Sequence, residues 1–423
     1  MSRITDAKEV ILTSDSTGES WVAAVWDPRN GSVLSTFRNT SALGPRTLQL
    51  VGDSYVLGAN VTKHRLHVWP LNNPSPLANV RLTTPGKVNA LTCTPNGSYI
   101  ITAVGEKLFV WQICNGKLLN TLNRHYQTVT CLSTTKDGSL FASAGEDGLL
   151  FVWSLYSVLN NKSCSPLHSF SNHSLPIRDL CFGHGDARAR LYTVSLDRTA
   201  NIYELGSGAL LVTLVCDVPL TAVAVNVCES QLFVGCTTGD IFYHNLHEPP
   251  RGIEQHIKVS DEEQKNVLRA HKSNVTALSV SVDCRTLVSG STDAAVHVWD
   301  IVSRQVLRTM EHKGPVTAAF FARGYENLYT SIFKSGLEIG NLENVTNNVE
   351  ENVKENVIGI ISRGRNSAEI LDFESYIEDS TNSQESEKIW KKLNNMKEEI
   401  TRLKKVNTTM YEYSVRHILN KYK

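Results

Sequence analysis

The chain has 423 residues, 41% of them hydrophobic and 20% charged, with Lys plus Arg and Asp plus Glu at 42 each. That is enough apolar material for a sizeable core and excludes a mainly disordered chain. A formal net charge of zero argues against nucleic-acid binding by bulk electrostatics and leaves only local basic patches open.

The N-terminus, MSRITDAKEV, has no apolar h-region, so no signal peptide is expected. No apolar run approaches the roughly 20 residues that span a bilayer. The reading is a cytosolic or nuclear chain with no membrane contact, in which sequons such as Asn39-Thr40-Ser41 are chance matches.

Moving along the chain, one aromatic marker recurs at the end of an apolar strand. It stands in Val25-Trp26-Asp27, Val68-Trp69-Pro70, Val110-Trp111-Gln112, Val152-Trp153-Ser154 and Val298-Trp299-Asp300. The first four lie about 42 residues apart, the period of WD repeats. Between Trp153 and Trp299, Tyr203 and Tyr243 mark two further units, which makes seven. Each unit reads as four short antiparallel strands, a to d. The sequence therefore predicts an all-β, seven-bladed propeller.

The first unit is short. Two strands, 9–13 and 21–26, fit before its outer strand at 32–37, and strand a is missing. After His312-Lys313-Gly314-Pro315 comes a spare apolar strand at 316–321, which is expected to complete that blade and remove the open sheet edges. Residues 328–342 are expected either to add a strand or to pack beneath the ring.

The unit at 271–309 is the clearest. His271, Ser291, Asp293 and Trp299 resemble the His–Ser–Asp–Trp tetrad of WD repeats, and His173, Ser195, Asp197 and Tyr203 repeat the set. Buried indole and imidazole groups need partners, at about 1–3 kcal/mol for each one left unsatisfied. The unit around Trp153 keeps His125 and Asp147, with Gly145 read at the Ser position. A Ser/His/Asp set also invites a hydrolase reading, which the placement of the Ser inside a blade disfavours. Two connections are long: 155–165, and 246–266 with its acidic run Asp261-Glu262-Glu263. Partner binding and tolerated length both remain open for them.

Nine scattered cysteines without a CxxC read as buried free thiols, with no disulfide framework and no zinc site. No phosphate-binding glycine loop or nucleophile elbow is present either, so neither a cofactor nor catalysis is expected.

Composition changes beyond the ring. The expected domains are a propeller at 1–340, an acidic and largely disordered linker at 341–387, and a basic coiled-coil helix at 388–423. In the helix, Ile389, Leu393, Met396, Ile400, Leu403 and Met410 recur at 3–4 spacing. Asn407 falls on an a position, where paired Asn side chains set the register of a parallel dimer. A homodimer and an amphipathic helix packed on a partner or on the propeller are the two readings.

Several runs are similar to the WD repeat-containing protein 18 family. They are Arg124-His125-Tyr126-Gln127, Val152-Trp153-Ser154-Leu155 with Ser157-Val158-Leu159, His173-Ser174-Leu175-Pro176-Ile177, Ser195-Leu196-Asp197-Arg198-Thr199 and Lys313-Gly314-Pro315-Val316-Thr317. Leu403-Lys404-Lys405 with Asn407 resembles that family's end. The resemblance implies a non-catalytic scaffold in large ribosomal subunit maturation, acting in removal of an internal transcribed spacer in nucleolus and nucleoplasm. Implied partners are the pre-ribosome, a helical-repeat scaffold, a smaller subunit and an AAA-type ATPase. The competing function is an adaptor or substrate receptor in a ubiquitin ligase or signalling complex.

Overall fold

The computed structural model describes residues 9–160, 164–247, 252–257, 267–330, 332–343, 398–399, 401–406 and 409. The chain divides into two compact units, Met1–Ile358 and Gly359–Lys423. The first unit is a propeller of seven antiparallel sheets. Blade 7 shows the pattern: Val275–Val280, Thr286–Ser291, Ala295–Asp300 and Val306–Glu311 follow one another from the axis outward as strands a to d. Tight turns join them, and Cys284 and Ala294 take up left-handed backbone there, at φ 58° and 65°.

Each sheet is apolar on both faces because each face meets a neighbouring blade. Seven apolar clusters result, one per interface. Between blades 3 and 4, for example, Ile101 and Val110 pack against Phe141 and Trp153. Trp69, Trp111, Trp153 and Trp299 are all at most 1% exposed. The taper toward the axis excludes bulk: a Cβ on Gly290 would stand 2.7 Å from Val316 Cγ1 in the next blade.

Blade 1 is built from both ends of the ring, as expected from the spare strand. Val316–Arg323 lies antiparallel to Glu9–Asp15, with Leu12 opposite Phe320, followed by Ala23–Trp26 and Val33–Phe37.

Among the described residues, the segment after Arg323 adds no strand. It packs across one face of blades 2 and 3. Asn327 Nδ2 donates to Asp53 O (3.1 Å) and Lys334 O (2.9 Å). Phe333 meets the Tyr55 ring, and Gly340 N donates to Ile113 O at 2.9 Å. Leu342 is buried in the cluster between the two blades.

The two long connections have structure of their own. Leu155–Asn160 is a short helix whose Leu155 and Val158 close the blade 3–4 cluster, and Asn120 Nδ2 donates to Val158 O at 2.7 Å. Glu254–Ile257 joins Ala209–Cys216 in parallel as a fifth strand on the outer edge of blade 5. The acidic run 261–263 and the linker from 344 to 387 lie outside the described residues.

Candidate interaction surfaces

The named polar residues first resolve into staples. His271 Nδ1 sits 3.1 Å from Asp293 Oδ2, and its Nε2 lies 2.7 Å from the hydroxyl of Ser289. Trp299 Nε1 donates to the same hydroxyl at 2.8 Å. Since Ser289 Oγ must accept from the indole, it donates to His271 Nε2, and Nδ1–H donates to Asp293. Burial lowers the His271 pKa against the pull of Asp293, so the imidazole is neutral.

Ser291, read as the tetrad hydroxyl, is placed elsewhere: it donates to Ser273 O (3.0 Å) and accepts from Asp293 N (3.2 Å). Ser195 does the same for Leu175 O and Asp197 N. In that blade His173 Nε2 reaches Thr193 Oγ1 at 2.8 Å and Nδ1 reaches Asp197 Oδ2 at 3.0 Å. Tyr203 is fully buried, with Asn201 Nδ2 3.3 Å from its hydroxyl. The Trp153 unit is complete rather than lacking its hydroxyl. Ser143 lies 2.9 Å from His125 Nε2 and accepts from Trp153 Nε1 at 3.1 Å, and His125 Nδ1 meets Asp147 at 3.0 Å. One feature of the strand accounts for both displaced hydroxyls. Residues two apart on a strand share a face, so Ser289 and Ser291 both fit the pattern, and only depth toward the Trp separates them. The signal was present: Ser143, Thr193 and Ser289 each stand four residues before the turn Asp.

These buried hydroxyls cannot meet a substrate, since Ser143, Thr193 and Ser289 are all at 0% exposure. Their effect is to fix the loops above them. Asp147, Asp197 and Asp293 each also accept a backbone N–H, from Tyr126 (3.0 Å), Ser174 (3.1 Å) and Lys272 (3.0 Å). The face carrying the d–a and b–c connections, called the top here, is thereby held rigid at blades 4, 5 and 7.

A central channel of about 630 Å³ opens at this top face. The second residues of the a strands of blades 4, 6 and 7 bond to the next blade: Thr130 to Ile177 O (2.5 Å), Thr221 to Val275 O (2.6 Å) and Thr276 to Val316 O (2.8 Å). Arg46 crosses the channel to pair with Asp179 of blade 5 and donates to Thr221 O of blade 6 at 2.9 Å. Burial raises the Asp179 pKa even though Arg46 and the Val223 N–H both favour its charged form. The sequence reading missed this pair because no spacing links positions so far apart.

The opposite, bottom mouth, about 630 Å³, is lined by the apolar Phe182, Val223, Val225, Leu278 and Phe321 and rimmed by Glu9, Lys136, His184 and Arg323. Among the described residues, no group of three or more His, Cys, Asp or Glu could hold a metal ion, and no helix is long and apolar enough to cross a membrane. All nine cysteines are free. Five are buried, Cys93 with its thiol pushed up to about 12 by burial, and Cys228 is exposed.

In the second unit, residues 398–399, 401–406 and 409 are helical. Leu403, named for the coiled-coil seam, is 57% exposed there. Ile389, Leu393, Met396, Ile400, Asn407 and Met410 lie outside the described residues.

Comparison with known proteins matches the family "WD domain, G-beta repeat" at residues 116–154 and 262–300, each range taking in the outer strand of one blade (3 or 6) and strands a to c of the next (4 or 7). The chain is 33% identical to WD repeat-containing protein 18 of Mus musculus over 97% of its length and 98% of the relative's. It is 39% identical to the Bos taurus protein of the same name over 78% of this chain and 77% of that one. Pre-rRNA-processing protein IPI3 of Yarrowia lipolytica is 32% identical over 72% of each chain.

Proposed function

The chain belongs to the WD repeat-containing protein 18 family, and from that membership we propose that it is a non-catalytic WD scaffold in pre-rRNA processing. The observation that carries this reading is similarity along nearly the whole chain to proteins of that name, joined by similarity to a fungal protein named for pre-rRNA processing. The buried tetrad hydroxyls support a structural rather than a hydrolytic use of the Ser/His/Asp sets.

More finely, the reading is maturation of the large ribosomal subunit and removal of an internal transcribed spacer, in nucleolus and nucleoplasm. The chain would hold a helical-repeat scaffold and a smaller subunit together and meet an AAA-type ATPase on the pre-ribosome. Residues 388–423 would bring two copies together. Resemblance to the family supports these points, and the heptad with Asn407 supports the last.

Depletion of the chain in its own cells tests the core of this. Spacer-containing large-subunit precursor should accumulate on a northern blot; spacer removal at the normal rate would sink the reading. Proteins co-purified with the tagged full chain test the partners, and ligase subunits in their place would favour the adaptor. Light-scattering mass with and without residues 388–423 tests the dimer, which a monomer in both cases removes.

A further inference from the structure

We propose that the top face of blades 2 to 5 binds single-stranded RNA, its phosphates on a track of free cations and one base stacked on Tyr126. The choice of RNA over DNA rests on the pre-rRNA-processing reading; the rest stands on the surface itself. Lys63 lies in the b–c turn of blade 2, Lys87 at the entry to blade 3, and Lys107 at the top of its strand c, opposite Asn123. Arg124 follows at the entry to blade 4. Arg178 lines the channel rim in blade 5, and Arg198 sits in that blade's b–c turn. All six are exposed, and among the described residues none is ion-paired. On the other half of the face Arg269 pairs with Asp240 at 3.4 Å and Lys313 with Glu19 at 3.9 Å, and Lys272 at the entry to blade 7 is an exposed cation outside those pairs. Exposed Glu106 and Glu146 oppose the track, while Asp147 and Asp197 are tied into their tetrads. A neutral chain thus carries a local cationic surface, which draws phosphate in a salt-dependent way.

Cations alone would suit an acidic peptide equally well. Tyr126 decides between them. It is 81% exposed, yet its backbone is fixed, because its N–H donates to Asp147 and the preceding His125 is buried in the tetrad. An aromatic ring projecting from fixed backbone beside Arg124 offers a stacking platform that a stacked duplex cannot use and the unpaired bases of a single strand can.

The test uses the full chain and a fluorescein-labelled 20-nucleotide oligouridine, read by anisotropy at stepped KCl. The wild type should bind with an affinity that falls steeply as salt rises. A Lys107→Glu, Arg124→Glu, Arg178→Glu variant should bind at least about tenfold more weakly with a shallower salt slope. Tyr126→Ala should lose about fivefold or more while keeping the slope. All four positions are exposed, so circular dichroism should be unchanged. No binding by the wild type overturns the proposal, as does equal binding by the charge variant, which would place the RNA contact elsewhere on the chain. Full affinity in Tyr126→Ala, or competition by polyglutamate as effective as by unlabelled RNA, also overturns it. The depletion experiment is separate: spacer processing that depends on a chain unable to bind RNA would leave the scaffold reading intact and remove this one.

Discussion

Ser289 holds two buried nitrogens at once, and that makes it a sharper test of the staple than either ring. In Ser289→Ala, His271 Nε2 and Trp299 Nε1 both lose their partner in a site closed to water. The expected cost is roughly 2–4 kcal/mol. Ser291→Ala removes one hydroxyl bonded only to backbone, at roughly 1 kcal/mol. Urea denaturation of the two variants checks this, and equal losses would return Ser291 to the tetrad.

The same polar groups set the response to acid. Burial alone would raise the Asp197 carboxyl, but hydrogen bonds from His173 and Thr199 outweigh it and bring the pKa to about 2, from an ordinary 3.8. Its stabilisation is therefore fully present above about pH 4 and is lost as pH falls toward 2. Burial lowers His67 and His297 to about 4. In the unfolded chain they take up protons from about pH 6.5 downward, so stability already declines between pH 6.5 and 4. Urea midpoints measured across pH should show both windows, and Asp197→Asn should flatten the lower one only.

At the level of elements, the segment 325–343 is a strap, and one glycine admits it. Gly116 has φ +69°, and a Cβ there would stand 1.7 Å from Asn341 O. Gly116→Ala should cost about 1–2 kcal/mol in backbone strain and lift the strap, so limited proteolysis within 325–343 should accelerate. An unchanged cleavage pattern would mean that the contact is dispensable.

The strap also marks where the sequence stops being legible. The blades could be read because a Trp or Tyr returns wherever a strand c must fill an interface, and the shortage of strands in the first unit announced the closure. The strap, the short helix at 155–160 and the fifth strand at 254–257 bond mainly to loops or to an existing sheet edge. Such contacts impose no period on their residues, so the spacing marks these segments as extra length without saying what they form. The tetrad histidines and aspartates were legible for the opposite reason, since each His precedes its turn Asp by a nearly constant 22 to 24 residues. The hydroxyl between them was not, because two positions on one strand face satisfy the same pattern.

Taken whole, the ring is held by its seven interfaces and by a side chain that reaches across its hole. Arg46 ties blade 2 to blades 5 and 6, which are not its neighbours in the ring. Arg46→Ala should strand the Asp179 carboxylate and cost about 2–3 kcal/mol, at the low end for a buried pair because both side chains keep some contact with water. A thermal melt lowered by several degrees, restored by Asp179→Asn in the same chain, would confirm the cross-channel tie. An unaltered melt would refute it.

The shared first blade carries a cost in time. Strand Glu9–Asp15 pairs with Val316–Arg323, about 300 residues later. At roughly 5–20 residues per second of synthesis, its inner edge must wait on the order of 15–60 s for its partner to leave the ribosome. Throughout that interval the nascent chain displays an apolar strand with unpaired amides, a template for another chain or a landing place for a chaperone.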